Sequence, residues 1–102
     1  MLRTYGTGCT WPLSGGTELA SAVRRAEAVA RSLGWSARDA GALSLVVMEL
    51  GRDALQPGGG GTCHLEAGAT FADVIVENLG GGRARARVAF SAALPGPLAT
   101  AV

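Results

Sequence analysis

Two carboxylates, Glu49 and Asp53, lie four residues apart near the end of a largely apolar segment. Residues at this spacing share one face of an α-helix, where two like charges cost about 0.2–0.5 kcal/mol. A metal ion or a bound polyanion would explain why the pair is present. The alternatives are an unrelated acidic interaction site and a solvated helix end at which Arg31 and Arg52 offset the charge.

The composition excludes several kinds of chemistry. The basic residues are nine arginines and no lysine, which rules out a Walker phosphate loop, a Schiff-base enzyme and the strand lysine of a protein-kinase fold. Cys9 and Cys63 are too few and too distant for a disulfide framework or a zinc site, and we expect both to be small buried groups. His64 follows Cys63 directly, so in a strand the two face opposite ways, which argues against nucleophilic catalysis by the pair.

Size and charge predict one soluble domain. The chain has 102 residues, which fits a single domain over 1–102. Its net charge of +1 gives no overall field that would attract nucleic acid, and no apolar run is long enough to span a membrane. The first five residues lack an apolar secretory core. We therefore expect a cytoplasmic protein.

Two helices are expected in the first half of the chain. Thr17 is a candidate N-cap for the first, and Gly34 is its expected stop. Ser36 and Asp39 resemble a capping box for the second, which Gln56, Pro57 and the glycines after them should end. Apolar residues recur at helical spacing in both. The first stripe is Leu19, Ala22, Val23, Ala26, Ala30 and Leu33, and the second is Leu43, Val46, Val47, Leu50 and Ala54.

Four strands complete the expected fold. One lies within 3–13, and three follow the helices at 62–67, 70–79 and 83–90. Helices that are segregated from a run of strands predict an α+β fold. We expect a two-layer α/β sandwich with an approximately four-stranded mixed or antiparallel sheet and two helices on one face. The tail, 93–102, should be irregular.

The residues of 17–82 also carry a family resemblance. The helix pair reads AVARSLGWSARDAGALSLVVMELGRDAL, and a later strand ends in VIVENLGGG. This order resembles the GHKL (Bergerat-fold) ATPases, most closely the small anti-sigma factors and switch-protein serine kinases of RsbT/RsbW type. Those proteins have Glu-x-x-x-Asn on the second helix and a strand that ends in Asp-x-Gly-x-Gly, so the resemblance implies a truncated Bergerat-like fold.

The resemblance implies an ATP or ADP site with Mg²⁺. Glu49 would be the catalytic residue, and Asp53 would contact Mg²⁺ through the nucleotide. Asn78, Gly80 and Gly82 would lie at the base. Asp53 replaces the family's Asn, Asn78 replaces its Asp, and an arginine-rich strand stands where the family has a phosphate lid.

The function implied is regulation by partner switching in the bacterial cytoplasm, with weakened or lost catalysis. Partners would be a sigma factor, an anti-sigma antagonist or a phosphatase, and any remaining activity would be ATP-dependent phosphorylation of serine or threonine. One alternative is a protein–protein interaction module that binds no nucleotide and that could form a homodimer. Another is an RNA- or DNA-binding domain.

Two motifs have alternative readings. Residues 78–82 also fit a simple turn between strands, where Asn and Gly adopt positive φ. Arg83, Arg85 and Arg87 alternate along the last strand. They are either a solvated face that discourages edge aggregation or a binding patch for an acidic partner or nucleic acid.

Overall fold

The computed structural model describes residues 7–56 and 59–90. Its elements in chain order are β1 (Thr7–Leu13), α1 (Gly16–Ser32), α2 (Ala37–Leu55), β2 (Gly61–Ala67), β3 (Phe71–Asn78) and β4 (Arg83–Ala89). The strands form one sheet in the order β1-β2-β3-β4, and every neighbouring pair is antiparallel. The expected α+β fold is confirmed. Residues 3–6 of the first predicted strand and the tail predicted to be irregular, 93–102, lie outside the described residues.

The start of α1 differs from the prediction. Gly15, not Thr17, is the N-cap, and no side chain caps the helix. The amide of Leu19 already donates to the carbonyl of Gly15 at 3.0 Å, so the helical ladder begins before Thr17 and leaves it within the first turn. The other end is as expected, because Gly34 follows the C-cap with φ of 95°, where a side chain would be strained.

The N-cap of α2 is confirmed at Ser36. Its hydroxyl accepts a hydrogen bond from the amide of Asp39 at 3.1 Å and lies 3.1 Å from Asp39 Oδ2. Such a cap satisfies one of the amides that a helix leaves unpaired in its first turn. The helix continues to Leu55 and Gln56 caps it, so Glu49 and Asp53 lie in its last two turns.

Small residues allow the two helices to approach each other closely. The side chains that α1 buries fully are alanines, and α2 presents Gly51, which is itself buried. A Cβ added at Gly51 would collide with Leu19 Cδ1. The helices therefore pack with side chains of one seated directly on the backbone of the other. The alanines are Ala22, Ala26 and Ala30.

Strand alternation places the core on one face of the sheet. Cys63, Leu65 and Ala67 of β2 are buried, whereas His64 points to the other face, as predicted. Burial raises the pKa of the Cys63 thiol to about 11. Cys9 is only half-buried, because it lies on the edge strand β1 where fewer neighbours cover it.

Trp35 ties the loop between the helices to the sheet. Its ring is buried and stacks on Phe90, with the ring centroids 5.2 Å apart and the planes 8° from parallel. The indole Nε1 donates to the carbonyl of Gly68 at 3.0 Å. A large buried aromatic side chain of this kind satisfies its polar atom while it fills the core.

The opposite face of the sheet carries mostly polar side chains. Thr10, His64, Ile75 and Arg85 form one row across the four strands. We call this surface the open face. Within the described ranges, neither helix combines the length and apolarity needed to cross a bilayer.

Two glycines of α2 give opposite predictions. Gly51→Ala places a methyl group against Leu19 and should lower the free energy of unfolding by about 1–3 kcal/mol. Gly41→Ala meets no atom within 4 Å and should raise it by about 0.5–1 kcal/mol through helix propensity. Urea denaturation of both variants measures the difference. Equal effects would contradict the close packing at Gly51.

Candidate functional site

The helix-borne carboxylates are exposed. Glu49 and Asp53 lie one turn apart on α2, and both side chains face solvent. Neither forms an ion pair within residues 7–56 and 59–90, including with Arg31 or Arg52. Water therefore screens their mutual repulsion, and their oxygens are available to a ligand.

The turn between β3 and β4 is closed by Asn78. Its backbone amide donates a hydrogen bond to the Gly82 carbonyl at 2.8 Å, and its backbone carbonyl accepts one from the Gly81 amide at 3.0 Å. The side-chain Oδ1 accepts a hydrogen bond from the Gly82 amide at 2.9 Å. Gly81 has φ of 94°, as a glycine in a tight turn can. These three hydrogen bonds show that residues 78–82 form a turn between the two strands.

That bonding fixes which way the Asn78 amide faces. With Oδ1 on the Gly82 amide, Nδ2 is left without a hydrogen-bond partner among the described residues. The reverse orientation would bring two donors together, so the network determines the assignment. Asn78 therefore offers a hydrogen-bond donor to the surroundings, where an aspartate would offer only an acceptor.

Two adjoining depressions bring most of the predicted nucleotide-binding residues together. Asp53, Asn78 and Gly82 line a pocket of about 140 Å³ that Arg83 borders. Asn78, Gly80 and Gly82 line the second, of about 470 Å³. Glu49 lines neither of them. We call this region, formed by Asp53 and residues 78–82, the α2–turn corner.

A glycine that the sequence did not single out connects the two sides of the corner. The Gly60 amide donates to the Ala54 carbonyl at 3.2 Å, and the Gly60 carbonyl accepts from Leu79 at 2.9 Å. Gly60 has φ of 109°, and a Cβ there would collide with the Leu13 carbonyl oxygen. In the sequence, Gly60 belongs to a run of four glycines, 58–61, which predicted only the end of the second helix.

The corner has limited capacity to hold a metal. No group of three or more His, Cys, Asp or Glu side chains converges on a metal position in the part of the chain that the structure describes. Asp53 alone supplies a carboxylate, a ligand type that suits Mg²⁺. This arrangement fits a cation that takes its remaining ligands from phosphates and water, and not one held by the protein alone.

The three arginines of β4 lie on the open face, as predicted, and each contacts a carboxylate of β3. Arg83 Nε is 3.3 Å from Glu77, and Arg85 is 3.7 Å from Asp73. Arg87 binds Asp73 through two hydrogen bonds of 2.8 and 3.1 Å, and its guanidinium lies 4.0 Å from the Phe71 ring centroid. Much of the positive charge of the strand is thus offset within the sheet.

Asp73 is the carboxylate that sequence reasoning missed. Its side chain is only 15% exposed, and the Arg87 hydrogen bond is the main cause that holds its pKa below the usual range, against a smaller opposing effect of burial. Asp73 lies directly opposite Arg87 on the neighbouring strand, and that pairing could be predicted only if the β3–β4 register were known.

His64 has a local role on the open face. Its Nδ1 lies 2.8 Å from the Thr10 hydroxyl, and its Nε2 lies 3.8 Å from Glu66. The first contact joins β2 to β1, and the second lies within β2. Neither contact involves Cys63. The expectation that the two residues face opposite ways is confirmed.

Comparison with family models, curated proteins and solved structures yields no match for this chain.

Asn78 variants test the closure of the turn. Asn78→Ala leaves the Gly82 amide without its partner and should lower the free energy of unfolding by about 1 kcal/mol. Asn78→Asp retains an oxygen acceptor and should stay close to wild type at neutral pH. Chemical denaturation measures both. Equal destabilisation by the two changes would contradict the Oδ1 contact.

Asp73→Asn should make stability less dependent on pH. Because the folded-state pKa of Asp73 is lowered, its carboxylate stabilises the fold above the unfolded value of about 3.9. That contribution is lost as the pH falls through the lowered pKa. Wild type should therefore have the higher melting temperature at pH 7, and the gap should close below about pH 4. Glu27→Gln on the exposed side of α1 is the control, and a gap that persists at low pH would contradict the assignment.

Proposed function

We propose that the chain is a cytoplasmic regulatory domain of the partner-switching type, which binds a nucleotide weakly at the α2–turn corner and acts mainly by binding another protein. The observation that supports this proposal is the convergence of Asp53 with Asn78 and Gly82. These residues are distant in the chain, and they are the ones that the GHKL resemblance pairs. The partner would be a sigma factor, an anti-sigma antagonist or a phosphatase.

The groups at the corner have complementary chemistry for a nucleotide. The Asn78 Nδ2 donor suits a ring nitrogen such as adenine N1, and the Asp53 carboxylate suits Mg²⁺. Bound Mg²⁺ would supply charge neutralisation for the phosphates. The glycines at 80 and 82 leave space beside the turn for a flat ring. Since no charged bond from Asn78 is available, affinity should be low.

Catalysis is the weaker part of the proposal. Glu49 lies outside both depressions, although its exposed carboxylate could accept a proton. Phosphoryl transfer depends on positioning and electrostatics, and a corner open to solvent provides little of either. If activity is present, it would be serine or threonine phosphorylation of a partner protein that depends on ATP.

Nucleotide binding predicts a thermal shift. Mg-ADP or Mg-ATP at about ten times its dissociation constant should raise the melting temperature by roughly 6–11 °C, because only the folded chain binds it. Asp53→Ala should reduce the shift, whereas Glu49→Ala and the distant Glu27→Ala should leave it intact. Scanning fluorimetry over a millimolar nucleotide range measures this. No shift in wild type at these concentrations would remove the nucleotide from the proposal.

The kinase role has a separate test. Radiolabel from ATP should appear on a candidate antagonist protein with wild type but not with Glu49→Ala, while both proteins keep the same circular dichroism spectrum. Transfer that Glu49→Ala does not change would exclude Glu49 as the base. A thermal shift without transfer would leave a nucleotide-binding regulator.

The second candidate is an interaction module that binds no nucleotide. Its support is the exposed apolar surface at the turn, where Leu79 is 77% exposed, together with the open face, which neither of the described helices covers. The nucleic-acid alternative has less support, because carboxylates of β3 offset Arg83 and Arg87 and only Arg85 is left with a long contact. One such charge would bind the phosphates of a nucleic acid weakly.

A further inference from the structure

The outer edge of β4 carries a row of backbone hydrogen-bonding groups that no other strand among residues 7–56 and 59–90 pairs with. We propose that this edge is a docking site for an extended segment of a partner protein in which acidic and small apolar residues alternate, and which pairs with β4 as an additional strand. The inference rests on the proposed function only in requiring a protein partner, and not on nucleotide binding.

The backbone of β4 is suited to strand addition. It pairs with β3 in unbroken register from Phe71↔Ala89 to Glu77↔Arg83, without a bulge. As the last strand in the sheet order, it has no second neighbour within residues 7–56 and 59–90. Its outward amides and carbonyls therefore form a regular row. The opposite edge strand, β1, contains Pro12, which lacks an amide donor.

The charge on the open face favours an acidic occupant. Arg85 lies directly opposite Ile75, an apolar residue, and reaches diagonally to Asp73, which Arg87 already holds with two hydrogen bonds. Its side chain is 65% exposed. Three guanidinium groups of β4 thus share two carboxylates of β3. The Cβ atom of a residue directly opposite Arg85 on an added strand would lie about 5 Å from the Arg85 Cβ atom, so a Glu side chain there could reach the guanidinium.

The core side of β4 favours small apolar residues at alternate positions. Ala84, Ala86 and Val88 point toward the helices but are only half-buried. An added strand would extend the sheet past them and cover their outer sides with its own inward residues. Because strand side chains alternate between faces, the same segment can present carboxylates to the arginines.

The same arrangement disfavours a second copy of the chain at this edge. Antiparallel pairing of β4 with another β4 would bring arginines opposite arginines on the open face, and like charges in that position are destabilising. Charged edge residues commonly prevent such self-association. The β4 edge is therefore expected to disfavour pairing with a second β4 and to favour pairing with a negatively charged strand.

The first test uses two capped, fluorescent eight-residue peptides, one of alternating Glu and Val and one of alternating Lys and Val. Fluorescence anisotropy at low salt should show the Glu peptide binding at least about tenfold more tightly. Arg85→Glu should reverse that preference. Arg24→Glu makes the same charge change on the exposed side of α1 and should not alter it. Equal effects of the two variants would overturn the proposal.

The second test separates strand pairing from general charge attraction. N-methylation of the Glu–Val peptide at one alternating set of amides should weaken binding at least about tenfold, while methylation of the other set should not, since only one set faces β4. Equal effects of the two sets would overturn the proposal. So would tighter binding of a single-stranded oligonucleotide of the same charge, or a self-associated dimer in sedimentation that excludes the peptide.

Two controls keep the outcomes interpretable. Arg85→Gln removes the charge without reversing it, so it should lower the affinity for the Glu peptide less than Arg85→Glu does. Circular dichroism verifies that both variants fold. The Mg-ADP thermal shift is measured on the same proteins. Failure of peptide binding with an intact nucleotide shift overturns the docking site alone, whereas the opposite result removes only the nucleotide.

Discussion

The close contact between α1 and α2 at Gly51 is the constraint on which the rest of the structure depends. Because Leu19 of α1 occupies the space where a side chain at Gly51 would lie, and Leu13 of β1 lies just beyond it, the last turns of α2 pack directly against α1 and the end of β1. The Ala54 carbonyl can then accept from Gly60, which in turn binds Leu79. Through this short chain of contacts, helix packing determines that Asp53 and Asn78 border the same depression.

Much of this fold could be predicted from the sequence, since it depends on periodicity. Apolar spacing identified both helices, and alternation assigned Cys63 and His64 to opposite faces. The N-cap at Thr17 was wrong because a backbone contact to Gly15 started the helix earlier. The neighbourhood of Asp53 and Asn78 could be expected only from the family resemblance. Asp73 and Gly60 were missed because their roles depend on strand register and on a three-dimensional approach that residue types do not encode.

The electrostatics of the open face show how one carboxylate can organise a strand of cations. Asp73 keeps its charge because Arg87 hydrogen-bonds both of its carboxylate oxygens, and Arg87 is oriented both by Asp73 and by the face of Phe71. Arg85 receives only the remaining, longer contact. Charge along β4 is therefore uneven: Arg85, the second of the three arginines, is the least compensated, although the sequence presents three equivalent residues.

The two cysteines differ in a way that gives the fold an internal reporter. The thiolate form of a cysteine is the nucleophile that attacks thiol reagents. The Cys63 thiol is fully buried, and burial raises its pKa to about 11. It can be modified only when β2 separates from the helices. Cys9 on the edge strand is half-buried and becomes accessible with much smaller fluctuations. The ratio of the two labelling rates would therefore measure how much more often the edge of this sheet opens than its centre.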